Sequence, residues 1–210
     1  MTSRERPADE LANLLTHGAG LLICLPATAI LMSLAARSPL RVTLACALYS
    51  FALVLVYACS TLSHLFFDIR WRQVFRTADQ ACIFLLIAGT YTPVAVIYLN
   101  QGWWWLVLAL MWLLALAGVS RVLRVRDLSR VDKFGFGVMG FTPIVTLAEL
   151  YRQASPVFVA WIIAGGACYC IGAIFLRMSA QIRYSHACWH LFVLAGSACH
   201  FRAILLALGV

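Results

Sequence analysis

His186 and His190 stand one helical turn apart, a spacing that puts two imidazoles on the same face of a helix. The same spacing lets two histidines of a helix hold one zinc ion. His64 can supply a third nitrogen. Three histidines plus water form the arrangement of a catalytic zinc, which keeps one coordination position open. The bland alternative is that these histidines hydrogen-bond between helices or lie at the headgroup boundary. Spacing alone leaves both readings open. Ser60, one turn before His64 on the same face, can orient the imidazole or hydrogen-bond a metal-held water; equally, it can be a small hydroxyl at a helix contact. Asp79 is a carboxylate at the edge of an apolar run, where an unpaired charge is expensive. It either accepts a hydrogen bond from the water on the metal or caps the third helix.

The elements that must position these residues are apolar runs. They cover approximately Asn13–Leu34, Val42–Phe67, Asp79–Leu99, Trp103–Leu123, Phe134–Tyr151, Pro156–Leu176 and Ser185–Leu208. Each is close to the roughly 20 residues that a helix needs to cross a bilayer. The fifth is interrupted by Gly135, Gly137, Gly140 and Pro143, small residues that permit close helix packing. Trp103, Trp104 and Trp105 read as an interfacial aromatic belt at the start of the fourth helix. Arg4 and Arg6 before an apolar stretch have a signal-peptide look, but Glu5, Asp9 and Glu10 and six further runs favour a retained first helix.

Of the 210 residues, 63% are hydrophobic and 11% charged. A soluble domain is about 25% charged, so a soluble globular fold is excluded. Residues 1–210 are expected to form one all-α membrane domain of seven transmembrane helices. The net charge is +8, which in a soluble chain would suggest nucleic acid. Here the bases cluster between apolar runs, so topology explains them and no nucleic-acid partner is expected. With the N-terminus in the cytoplasm, the inner segments hold Arg4, Arg6, Arg70, Arg72, Arg76, Arg121, Arg124, Arg126, Arg130, Lys133, Arg177 and Arg183. Only Arg37, Arg41, Arg152 and Arg202 fall outside. The excess is a positive-inside signal, and the odd number of passes puts Val210 outside. His64, Asp79, His186 and His190, from three helices, then converge near the cytoplasmic face.

Other polar residues sort by depth. His17 can approach the site, but an interfacial, solvated histidine is the expectation. His200 lies about 15 Å above His190 at 1.5 Å rise per residue and is assigned to interhelical hydrogen bonding. Glu149 and Arg152 are expected to pair, and Asp68 to lie in a loop with Arg70 and Arg72. The eight cysteines contain no CxxC and read as small hydrophobes.

ELANLLTHGAG near the start, STLSH closing the second helix, TADQACIFLLIAGTYTP opening the third and YSHACWHLFVLAGSACHF in the last together resemble the bacterial hemolysin III proteins, of the progestin and adipoQ receptor (PAQR) superfamily. The resemblance spans essentially the whole chain. It implies a seven-helix bundle with an intramembrane zinc near the cytoplasmic face, held by His64, His186 and His190, and with Ser60 and Asp79 as accompanying residues. It also implies kinship with membrane hydrolases that include alkaline ceramidases, a place in the bacterial plasma membrane and a link to membrane lipid homeostasis. The short N-terminal tail argues against a hormone-receptor role.

The expected function is therefore a zinc-dependent hydrolase of an amide- or ester-linked membrane lipid, with Asp79 as general base and Ser60 in support. A non-enzymatic sensor or stress-response protein with a structural zinc uses the same residues. A cytolysin, the activity in the family's name, ranks last: a toxin that inserts from water needs amphipathic segments, and this chain is apolar throughout.

Overall fold

A computed structural model of the chain describes residues 7–124 and 134–210. Arg4, Arg6, Arg126, Arg130 and Lys133, part of the charge argument above, lie outside the described residues. The described chain is all helical: α1 (Pro7–Ala35), α2 (Leu40–Leu65), α3 (Ile69–Tyr98), α4 (Trp105–Arg124), α5 (Phe134–Phe141), a 3-10 segment (Thr142–Thr146), α6 (Leu147–Gln153), α7 (Pro156–Met178) and α8 (Ser185–Ala207). Six of these, α1 to α4, α7 and α8, are long and apolar enough to cross a membrane. The protein is a multi-pass membrane protein.

The ends of the helices follow local chemistry. Asp68 caps α3, its side chain accepting from the backbone N–H groups of Arg70 and Trp71. Ser155 caps α7 in the same way through the N–H of Phe158, and Pro156 takes the first helical position, where its missing N–H costs nothing. Asp68 thus lies in the short connection between α2 and α3, as expected, and caps the helix that follows it. The cap also corrects the start of the third helix, which opens at Ile69 and not at Asp79. Arg70, Arg72 and Arg76 accordingly stand on helix rather than in a loop, and Asp79 lies about 15 Å along it at 1.5 Å per residue.

Side-chain contacts fix the directions. Gly20 faces Tyr57 across α1 and α2, and Ala52 faces Gly89 across α2 and α3. Trp112 Nε1 donates to Thr92 Oγ1 at 3.1 Å between α4 and α3. Successive long helices are therefore antiparallel, as short connections require. α7 and α8 form a second hairpin in which Gly165 and Gly172 meet Gly196 and Trp189. α8 returns to α1, with Gly20 under Leu194. At such crossings a hydrogen in place of a side chain lets backbones approach. The outcome is a bundle with the N-terminal ends of α1, α3 and α8 and the C-terminal end of α2 together.

The interrupted fifth run is three pieces rather than one helix. Pro143 lacks the N–H that a continuous α-helix would use, and the chain tightens to 3-10 geometry from Thr142 to Thr146. The pieces nonetheless keep one course along α3. Phe136 packs on Phe84 with ring centroids 4.5 Å apart, and Thr146 lies beside Tyr91, two turns further on. Large apolar side chains such as Leu22, Leu113 and Trp105 remain exposed on the outside of the bundle, where lipid covers them.

Candidate metal centre

The site is built at the end where four helix termini meet. α2 brings His64 and Ser60 on one face, and α8 brings His186 and His190 at its first and second turns. One nitrogen from each of His64, His186 and His190 can be chosen so that all three lie within 4.8 Å of one another. The ring centroids are 5.4 Å apart for His64 and His186, 5.3 Å for His64 and His190, and 4.5 Å for His186 and His190. His190 is 1% exposed and His64 8%, while His186 is half-buried.

Hydrogen bonds determine which nitrogens face inward. His64 Nδ1 lies 2.8 Å from Glu10 Oε2. An ionised carboxylate only accepts, so Nδ1 carries the hydrogen and Nε2 keeps its lone pair. His190 Nδ1 lies 3.2 Å from the Asn13 carbonyl and 3.0 Å from Thr16 Oγ1. The Thr16 hydroxyl already donates to the carbonyls of Ala12 and Asn13, so Nδ1 donates here as well. Two of the three imidazoles are thereby set as Nδ1–H tautomers with Nε2 available. This is the arrangement in which histidine ligands are held by a carboxylate or carbonyl behind them. Three imidazole nitrogens within 4.8 Å of one another form a donor set that could hold a metal ion.

Ser60 is fully buried, and its hydroxyl contacts His17 Nδ1 at 2.6 Å. The Asp79 carboxyl lies alongside the same hydroxyl, one turn before Cys82, whose Sγ is 3.8 Å from that of Cys59. Asp79 is therefore placed beside Ser60, and among the described residues the group that could hold a metal consists of His64, His186 and His190 without it. It reaches the histidines through Ser60 and His17. The helix-cap alternative for Asp79 falls, because Asp68 takes that place.

His17 overturns its expectation. It is not solvated: it is 3% exposed and stacks on His190. Tyr57 meets it edge-on at 5.2 Å. An i, i+7 spacing from Glu10, with Asn13 between, places His17 on a polar stripe of an otherwise apolar helix. That stripe, with Thr16 beside it, was the available signal for α1's part in the site. His200 keeps its distance as expected, its Nε2–H donating to the Ile162 carbonyl of α7 at 3.2 Å. A carbonyl only accepts, so Nε2 carries the hydrogen. Glu149 and Arg152 pair at 3.4 Å.

The sequence profile of the family described as Haemolysin-III related matches residues 6–201 of this chain. The chain belongs to the haemolysin III-related family. Among its relatives, the protein named Hemolysin-3 from Bacillus cereus is 35% identical over 199 residues, covering 94% of this chain and 90% of the relative. The Hemolysin-3 homolog of Bacillus subtilis (strain 168) is 33% identical over 199 residues, covering 94% and 93%. The human monocyte to macrophage differentiation factor is 26% identical over 172 residues, 75% of this chain and 67% of its own, which links this haemolysin III protein to the PAQR superfamily. The matched residues 6–201 include His64, His186 and His190 and the polar stripe of α1.

Proposed function

We propose that this haemolysin III protein is a metal-dependent hydrolase of an amide- or ester-linked membrane lipid, with zinc on His64, His186 and His190. The observation that carries the reading is that one ring nitrogen from each of His64, His186 and His190 lies within 4.8 Å of the others, while Nδ1 of His64 and of His190 is engaged by Glu10 and by the Asn13 carbonyl. A bound zinc would supply Lewis acidity, polarising an acyl carbonyl and making water acidic enough to attack near neutral pH. Asp79 would take up, by way of the Ser60 hydroxyl it contacts, the proton that water loses as it attacks the carbonyl carbon, and would return it by the same route to the leaving amine or alcohol as the C–N or C–O bond breaks. Ser60 orients that carboxyl and ties it to His17.

The chain is proposed to cross the bacterial plasma membrane seven times as a single unit, N-terminus inside. Supporting this, α4 ends and α7 begins at opposite ends of the bundle, and the pieces from Phe134 to Gln153 run along α3 between them. Arg72, Arg76, Arg121, Arg124, Arg177 and Arg183 all stand at the histidine end, against Arg37, Arg41, Arg152 and Arg202 at the other. By the positive-inside rule the histidine end is cytoplasmic.

One observation favours a second reading. The histidines are knitted to α1 through Glu10, Asn13 and Thr16, as a metal that only staples helices would also require. Turnover separates the two. Purified protein should carry about one zinc per chain, lost on chelation and in His64→Ala, His186→Ala and His190→Ala, but kept in His200→Ala. Zinc-dependent release of fatty acid from ceramide-like amides or phospholipid esters supports the hydrolase. Full zinc with no product from either class supports the staple, and undiminished zinc in the His186→Ala/His190→Ala double variant removes the site.

A further inference from the structure

Glu10 is the one acidic side chain of α1 that turns into the bundle at the histidine end, and three groups from two other helices converge on it. Its Oε2 meets His64 Nδ1 at 2.8 Å from α2 and Arg72 Nη2 from α3, and its Oε1 lies 3.8 Å from Arg76 Nη2. The carboxylate is 16% exposed, and a carboxylate so enclosed is stabilised only where its partners are fixed. Its neighbour Asp9 points elsewhere, to Arg183 at 3.3 Å in the turn before α8. We propose that Glu10 is the positioning residue of the metal centre: it holds the His64 ring through Nδ1, so that Nε2 faces His186 and His190.

The proposal rests on the metal reading above. Its physical content is orientational and electrostatic. An imidazole on a helix end can rotate about two side-chain bonds, and α2 terminates at Leu65, directly after His64. Nothing of α2 beyond that point restrains the ring. Glu10 supplies the restraint from α1, while Arg72 and Arg76 keep the carboxylate aimed at His64 rather than at water. The negative charge behind the ring also makes Nε2 a stronger donor, as carboxylates behind metal-bound histidines do. His190 receives the equivalent restraint from the backbone of Asn13, three residues further along the same helix. α1 thus orients ligands from both α2 and α8 while contributing none itself.

The test is zinc affinity by competition with a chromogenic chelator on the full chain in detergent, together with the visible spectrum of the cobalt-substituted protein. Glu10→Ala should lower affinity by about 10- to 100-fold and alter the cobalt bands. Glu10→Gln retains a carbonyl that can accept from Nδ1–H and should recover most of the loss. Asp9→Asn breaks the adjacent ion pair on the same turn of α1 and should bind as the wild type does. Wild-type affinity and spectrum in Glu10→Ala would overturn the proposal while leaving the metal site standing. Equal losses in Asp9→Asn and Glu10→Ala would overturn it too, pointing to general loosening of α1. A wild-type chain that takes up neither zinc nor cobalt would overturn the metal reading and the role of Glu10 together.

Discussion

His17 of α1 lies flat against His190 of α8, with ring centroids 3.5 Å apart and planes inclined by 16°. The stack joins the first helix to the last at the metal centre, and His17 Nδ1 continues the contact to Ser60 on α2. A single side chain of α1 thereby contacts both helices that carry the proposed ligands, α2 and α8.

Replacing His17 by Ala should cost stability more than metal. Truncating a buried ring of this size costs about 2–4 kcal/mol, so the melting temperature in detergent should fall clearly. Zinc content should drop less than in any of the three ligand variants, because His17 only backs His190. A metal loss as complete as that of His190→Ala would make His17 a ligand in its own right.

Asp79→Asn should keep the zinc and lose the hydrolysis. The amide preserves the contact with Ser60 but cannot take a proton from water, and general-base assistance is worth about 10²–10⁴-fold in rate. Lipid-product assays beside metal analysis check both halves. Release of zinc by this change would put Asp79 on the metal.

Gly165→Ala should weaken the α7–α8 hairpin. A Cβ there would stand 3.1 Å from the Gly196 carbonyl and closer still to the His200 ring. The backbone cannot yield, so His200 must leave its bond to the Ile162 carbonyl. Thermal melts should show a larger loss than for Gly166→Ala, where a Cβ meets nothing within 4 Å.

Reporter fusions test the seven-pass topology. A fluorescent protein placed after Arg124 should light up in the cytoplasm, and alkaline phosphatase after Gln153 should be active on the opposite side. The same side for both would mean that the segment between α4 and α7 does not cross.

The long helices and the three histidines were legible because apolar length and an i, i+4 pair are local signals. The extra ten residues at the start of α3 were not. Ile69 to Ala78 carries arginines and reads as a loop by hydropathy, and only the Asp68 cap shows the helix starting there. Pro143 was visible, but its effect depends on how the freed backbone is accommodated, which is a matter of packing. The burial of His17 was hidden for a related reason. Depth along a helix can be read from sequence, whereas the azimuth at which α1 meets α8 is set by Gly20 under Leu194 and Tyr57, a contact between distant parts of the chain.

The division of the centre between α2 and α8 also sets an order of events during biosynthesis. His186 emerges about 120 residues after His64, so at about 5–20 residues per second the first ligand waits roughly 6–24 s for its companions. During that interval Glu10, itself held by Arg72 and Arg76, is the partner at hand for His64, and no three-imidazole nest exists. If the proposed centre binds a metal, all three imidazoles would be available to it only after the final hairpin has docked on the first helix, which would make metal loading a late maturation step.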